Sequence, residues 1–393
     1  MQIVLFDLPE DRIKLYPLTL TRPTCYLRVG ILTLIEKWQH DFPDAEISIA
    51  SDPYLSPKFG LPSPKESLWI HSGLIPDPHV VSSLKSLENG EKLVYTDKVL
   101  AFWGTPETDS GSFQSTELKS SPSIIARPWD IFHKNGEEIK SDYKRVTSQR
   151  NSQPVLDKHT VCYGKDIFLE AGATVKAAML NAEAGPIYIG KDAQVQEGAL
   201  IRGPFSLGES SVVAMGAKVR GDTTVGPASK IGGEVSNSVL MGYCNKGHDG
   251  YLGNSVIGEW CNIGAGTNNS NLKNNYDKVK FWDYETSSFL DSGLQFCGLI
   301  MGDHSKTGIS TMFNTGTSVG VSSNIFGSGF PRTYIPSFAW GGAAGFTTYQ
   351  ISKAMESADR MMQRRNLSLS PEDKAILNHI FEHFSSWLKS DAD

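Results

Sequence analysis

Eight large aliphatics, Ile189, Val195, Ile201, Leu207, Val213, Val219, Val225 and Ile231, stand six residues apart without a break. Four residues after each comes Ala193, Ala199, Phe205, Ser211, Ala217, Thr223, Ser229 or Val235, of which seven are small or β-branched. Gly or Ala follows the aliphatic at Gly190, Gly208, Ala214, Gly226 and Gly232. A hexapeptide repeat produces this pattern: one aliphatic points inward from each short strand, and a small residue fits the corner before the next. Three such strands close one triangular coil of about 18 residues. The chain therefore reads as a left-handed parallel β-helix over 158–340, with its phase broken after Asn237, resumed at Ile257 and Ile263, and again at Phe313, Val319 and Ile325. The intervals 239–256 and 267–298 read as insertions, where binding residues concentrate because the coil itself is used in stacking.

The flanks have other rhythms. Residues 1–157 read as an α/β domain with a linker: Ile3 to Phe6, Glu46 to Ala50, Ser67 to His71 and Lys92 to Tyr95 are short apolar runs suited to strands. Leu27, Ile31, Leu34, Ile35 and Trp38 give the face of an amphipathic helix, and 105–123, rich in Thr, Ser, Glu and Gly, reads as an exposed loop. Past Trp340 the pattern turns helical. Residues 349–365 form one helix, and Ser370, Pro371 and Asp373 open another whose apolar face is Ile376, Leu377, Ile380, Phe384 and Trp387. Residues 341–393 are expected as a helical cap on the open end of the solenoid.

Composition narrows the function. Of 393 residues 20% are charged and 10% aromatic, with a net charge of −6, which excludes a disordered or coiled-coil chain. No Lys/Arg-rich stretch suits nucleic acid, and no apolar run of about 18 residues suits a membrane. The start lacks the basic and apolar regions of a secretory signal. The cysteines (Cys25, Cys162, Cys244, Cys261 and Cys297) are odd in number and hold no C-x-x-C pair, so a reduced, cytoplasmic protein is expected.

The chemistry-bearing stretch is Asn245-Lys246-Gly247-His248-Asp249-Gly250-Tyr251-Leu252-Gly253, followed by Asn262-Ile263-Gly264-Ala265-Gly266-Thr267. A His here is a natural candidate for a base that works near neutrality. The Gly-rich stretch can present N–H donors to a developing oxyanion. These motifs and their spacing resemble the acetyltransferase half of the bacterial bifunctional enzymes that make UDP-N-acetylglucosamine, whose pattern is K-x-G-H-x-x-Y-L-G and then N-I-G-A-G-T. The resemblance implies that His248 is the general base. It assigns Arg220, Lys246, Tyr251 and Asn262 to the sugar phosphate, and Ala265 and Asn271 to acetyl-CoA. Leu272-Lys273 stands where that family continues with Tyr-Asp-Gly.

Near the start, Leu15-Tyr16-Pro17-Leu18-Thr19 followed by Arg22-Pro23 resembles the signature of sugar-nucleotide pyrophosphorylases. Those enzymes place a Gly-rich loop after the first strand; here Asp7-Leu8-Pro9-Glu10-Asp11-Arg12 holds no glycine. Arg12, Lys14, Arg22 and Arg28 are the candidate phosphate ligands, Asp52 is a metal-ligand guess, and the metal ligands are otherwise unknown. As a whole the chain resembles a compact bifunctional member of that family. The resemblance implies UTP, an amino-sugar 1-phosphate and acetyl-CoA as substrates, Mg²⁺ for nucleotidyl transfer, and a homotrimer. The aromatics Phe281, Trp282, Tyr284, Phe289 and Phe296 of the second insertion would then be buried against a neighbouring copy. Two alternatives stand beside this reading: an acyltransferase with a degenerate nucleotide-sugar-binding domain, and a non-catalytic hexapeptide scaffold.

Overall fold

The computed structural model describes residues 1–105 and 107–385. Trp387 lies outside them. The N-terminal domain is built on β1 (Gln2–Phe6), β2 (Glu46–Ala50), β3 (Ser67–His71), β4 (Glu91–Tyr95), β5 (Lys98–Gly104) and β6 (Gln114–Glu117). They form one mixed sheet in the order β2-β1-β3-β5-β4-β6. β1 is parallel to both its neighbours, and β5 returns antiparallel to β3 and β4. The helices are α1 (Pro9–Arg12), α2 (Leu34–Asp41), α3 (Ser56–Phe59), α4 (Pro78–Lys85) and α5 (Pro128–Thr147). Two expectations are corrected here. The helix expected from Leu27 starts only at Leu34, because Thr33 and Glu36 form a capping box that fixes its first turn. The stretch expected as an exposed loop is exposed but also carries β6, a four-residue edge strand.

From Val161 the chain winds as a parallel β-solenoid with three sheet faces. All eight ladder aliphatics are 4% exposed or less and form the solenoid core. The first phase break is not an insertion. Val219 pairs with Val235, Val225 with Leu240, Ile231 with Lys246, Val235 with Leu252 and Leu240 with Ile257. The coil thus continues through all three faces, with three shortened corners, after Ile231, Val235 and Leu252. His248 sits on an ordinary corner of it. The second break is an insertion, holding an antiparallel hairpin (Lys280–Asp283 with Ser288–Asp291).

The solenoid ends in a second hairpin, Ala339–Gly342 with Gly345–Thr348. Beyond it come α6 (Ile351–Gln363) and α7 (Pro371–Phe384), the latter opened by a Ser370–Asp373 capping box. These helices fold back along the flank rather than merely capping the end. Ala354, Ala358, Ile376, Leu377 and Ile380 share one cluster with Tyr16, Leu20 and Leu55 of the N-terminal domain and with Trp260, Val321 and Phe338 of the solenoid. α5 makes the other join. Trp129, Ile131 and Phe132 pack on Val239, Met241, Val256 and Ile300. Asn135 accepts from Gly30 N (2.8 Å) and donates to Asp222 O (2.8 Å). Gly136 permits this approach, since a Cβ there would collide with the Asp222 carboxylate.

Candidate active sites

The solenoid site is built on the corner between Asn245–Lys246 and Tyr251–Gly253. Gly250 makes the turn possible: its φ is +124°, and a Cβ would strike the Thr267 carbonyl. His248 is exposed at the apex, and its imidazole has no hydrogen bond among the described residues. A groove of about 290 Å³ begins beside it, lined by Lys218, Glu234, Asp249, Gly250, Tyr251 and Asn268. The Tyr251 hydroxyl accepts from Asn271 Nδ2 (3.0 Å), and Asn271 also donates to Asn254 Oδ1 (2.7 Å). Burial raises the Tyr251 phenol above its ordinary range, so it stays protonated. Exposed Arg220 pairs with Glu234 (2.9 Å) near the groove, as a phosphate ligand would have to. Ala265 lies on the next coil, whose corner is tied to this one by Gly266 N donating to Asp249 O (2.9 Å).

Two expected ligands have different surroundings. Asn262 accepts from Asn245 Nδ2 (2.9 Å) within a ladder that continues to Lys306. Lys246 is corrected as a substrate ligand: it is 2% exposed, and its amine donates to the carbonyls of Gly232 (2.8 Å), His248 (3.1 Å) and Gly250 (2.8 Å).

A second cavity, about 730 Å³, opens at the carboxyl ends of β1, β2 and β3, where open α/β sheets bind ligands. Trp69 and Phe102 stack 5.6 Å apart on its wall, beside Phe6. Asp7 accepts from the hydroxyls of Ser51 and Ser72 (2.6 Å each). Gly73 N donates to His71 Nδ1 (3.1 Å), which leaves the proton of a neutral ring on Nε2, facing Asp11 (2.9 Å). Lys98 also reaches Asp11 (2.7 Å). The His71 hydrogen bond, with help from Lys98, holds the Asp11 carboxyl well below its usual range. Sequence reasoning read Ser67 to His71 only as a strand and missed Asp7, Asp11 and Lys98 as site residues. Asp7 and Lys98 stand at strand ends and Asp11 lies in α1.

Three of the four expected phosphate ligands, the arginines, are engaged within the protein. Arg12 is buried among Asp52, Tyr54, Tyr16 and the Thr19 carbonyl. Arg22 is buried against Glu259 (2.8 Å) and Asp303 of the solenoid. Arg28 donates to the carbonyls of Ile31 and Met241. Lys14 lies near Asp11 (3.7 Å). Asp52 is engaged by Arg12, and no group of three His, Cys, Asp or Glu among the described residues is placed to hold a metal ion.

The insertion aromatics also find partners within the chain. Phe281 packs on Trp129 (5.5 Å), Trp282 on Tyr334 (4.1 Å), and Tyr284 on Tyr16 (5.6 Å). Of the five, only Phe289 and Phe296 remain exposed.

Residues 3–151 match the sugar nucleotidyl transferase family model. The chain is 38% identical over 87 residues to the bifunctional protein GlmU of Methanocaldococcus jannaschii, covering 22% of this chain and 21% of that protein. It is 35% identical over 144 residues to a bifunctional sugar-1-phosphate nucleotidylyltransferase/acetyltransferase of Sulfurisphaera tokodaii, covering 36% of this chain and 35% of that protein. The matched stretches thus span a fifth to about a third of these relatives. A solved Arabidopsis UDP-N-acetylglucosamine acyltransferase is 14% identical, covering 59% of this chain and 91% of its own, with a TM-score of 0.30.

Proposed function

We propose that the chain is a sugar-nucleotide biosynthetic transferase whose solenoid acetylates the amine of an amino-sugar 1-phosphate from acetyl-CoA. The observation that carries this reading is the exposed His248 imidazole next to Asp249, which lines a groove together with Lys218, Tyr251 and Glu234, the last of these paired with Arg220. His248 takes the ammonium proton, the freed amine attacks the thioester carbonyl, and the C–S bond breaks as the amide forms. The thiolate of coenzyme A leaves and takes up the proton that the acylated nitrogen sheds as the amide forms. The Ala265 backbone N–H receives the developing oxyanion, since Gly264 N and Gly266 N already donate to Thr307 Oγ1 and Asp249 O.

The reading includes a homotrimer. Support comes from Val161, Met179 and Leu200, which are in register on one solenoid face and exposed at 43%, 38% and 47%. That apolar row runs on to Lys218, Glu234 and Tyr251, so a neighbour covering it would also border the groove.

For the N-terminal domain the reading is uridylyl transfer from UTP. Mg²⁺ enters this reading as the ion that accompanies UTP, held mainly by the substrate phosphates with one or two carboxylates. A second reading, binding of a nucleotide sugar without turnover, is favoured by α1. It replaces the Gly-rich loop with a four-residue turn carrying Glu10 and Asp11, and Arg12, Arg22 and Arg28 are all engaged elsewhere. An assay of the purified protein with UTP, Mg²⁺, acetyl-CoA and a panel of sugar 1-phosphates separates the two. Release of pyrophosphate supports transfer; its absence with every sugar leaves the binding role.

A further inference from the structure

The inward position on one solenoid face is filled in successive coils by Val175, Val195, Val213 and Ile231, and then by Lys246. The next coil returns to aliphatic with Ile263, whose neighbour Asn262 pairs with Asn245. Lys246 thus interrupts an apolar column, whose next polar member is Thr307 beyond Ile263, and it does so two residues before the candidate base. Its stem lies in the core and its amine meets three carbonyls, two of them, His248 and Gly250, on the corner that presents the imidazole. Burial lowers this ammonium to about 8, so the fold retains a group that a plain aliphatic would replace without desolvation.

We infer that Lys246 is a positioning residue, an internal clamp that fixes the corner carrying His248; this rests on the acetyltransferase reading given above. With the His248 and Gly250 carbonyls turned inward to the amine, the planar trans peptides turn the N–H groups of Asp249 and Tyr251 outward. The Tyr251 N–H does point that way, donating to Asn268 Oδ1 (2.8 Å) at the groove. The Asp249 N–H is thereby aimed toward the side where the acyl group would react. Lys246 itself touches no substrate. Its effect passes through the orientation of this loop.

The test compares Lys246→Met and Lys246→Ile with the wild-type chain. Both substitutions suit a column of Val and Ile and should keep a cooperative melt and the wild-type oligomer. A loop loosened by about an ångström can cost on the order of 100-fold, so kcat for acetylation should fall by about 10- to 100-fold. The KM values for acetyl-CoA and amino-sugar phosphate should stay within about threefold, since the binding groups are untouched. Hydrogen exchange, measured without substrate, should quicken by about tenfold or more at 247–251 and stay unchanged at 187–231. A kcat within about threefold of wild type, or unchanged exchange at 247–251, overturns the proposal. So does failure of both variants to fold, which would make Lys246 a structural strut. If the wild-type chain acetylates no amino-sugar phosphate, the enzymatic reading fails, and the exchange measurement alone decides whether Lys246 clamps the corner.

Discussion

Replacing Arg22 by alanine separates an interdomain strut from a phosphate ligand. The Arg22 side chain is 7% exposed and holds Glu259 at 2.8 Å and Asp303, itself 5% exposed. Without it, Asp303 keeps Thr21 Oγ1 (2.7 Å) and Glu259 N (2.9 Å) but loses its compensating charge. Removing one partner of a buried pair costs about 3–5 kcal/mol, chiefly because the other charge stays buried. For a chain of this size that is a fall in melting temperature on the order of 4–6 °C. Differential scanning calorimetry of Arg22→Ala reads it directly. The double variant Arg22→Ala with Asp303→Leu should recover part of the loss, since the stranded carboxylate is then gone. If Arg22→Ala melts within about 1 °C of wild type, the strut argument is wrong, because loss of a buried charge partner should cost far more.

Two further outcomes follow from other residues. Burial lowers His304 to about 3, so the unfolded chain binds a proton that the folded chain refuses between pH ~6 and ~4. Stability should therefore rise with pH across that window by about 1.4 kcal/mol per unit from this residue, and urea titrations of His304→Phe should show a slope shallower by that amount. An equal slope in both proteins would contradict the assignment. Met179→Glu with Leu200→Glu should convert a trimer of 43.0 kDa chains into monomers by light scattering, since both side chains lie on the exposed apolar row. A trimer that survives both charges must use another face.

The solenoid was legible because an inward position six residues on is dictated by the coil, whatever the rest of the sequence does. The coil carrying His248 was not, because the corners after Ile231, Val235 and Leu252 are shortened and Lys246 stands where an aliphatic belongs. A lysine reads as inward-facing only once its amine has carbonyls to meet. α5 escaped notice for a related reason: its buried face includes Asn135 and Asp142 as well as Trp129 and Phe132. The polar pair is satisfied by Gly30, Ile31 and Lys37, more than a hundred residues away. The same distance hid the work of Arg22, whose partners in the solenoid no local motif announces. At the candidate base, by contrast, the spacing of His248, Tyr251 and Asn262 pointed to one corner, and Tyr251 borders the groove that opens beside it.

The central claim is that His248 is the base for acetyl transfer, and its replacement by alanine tests that most directly. The side chain is exposed at a corner and hydrogen-bonds to nothing among the described residues, so His248→Ala should keep the fold and the oligomer. Release of coenzyme A from acetyl-CoA in the presence of glucosamine 1-phosphate should fall by about 10² to 10⁴, with any uridylyl transfer unchanged. Acetylation by the variant within about threefold of wild type would contradict the account, since a general base contributes far more.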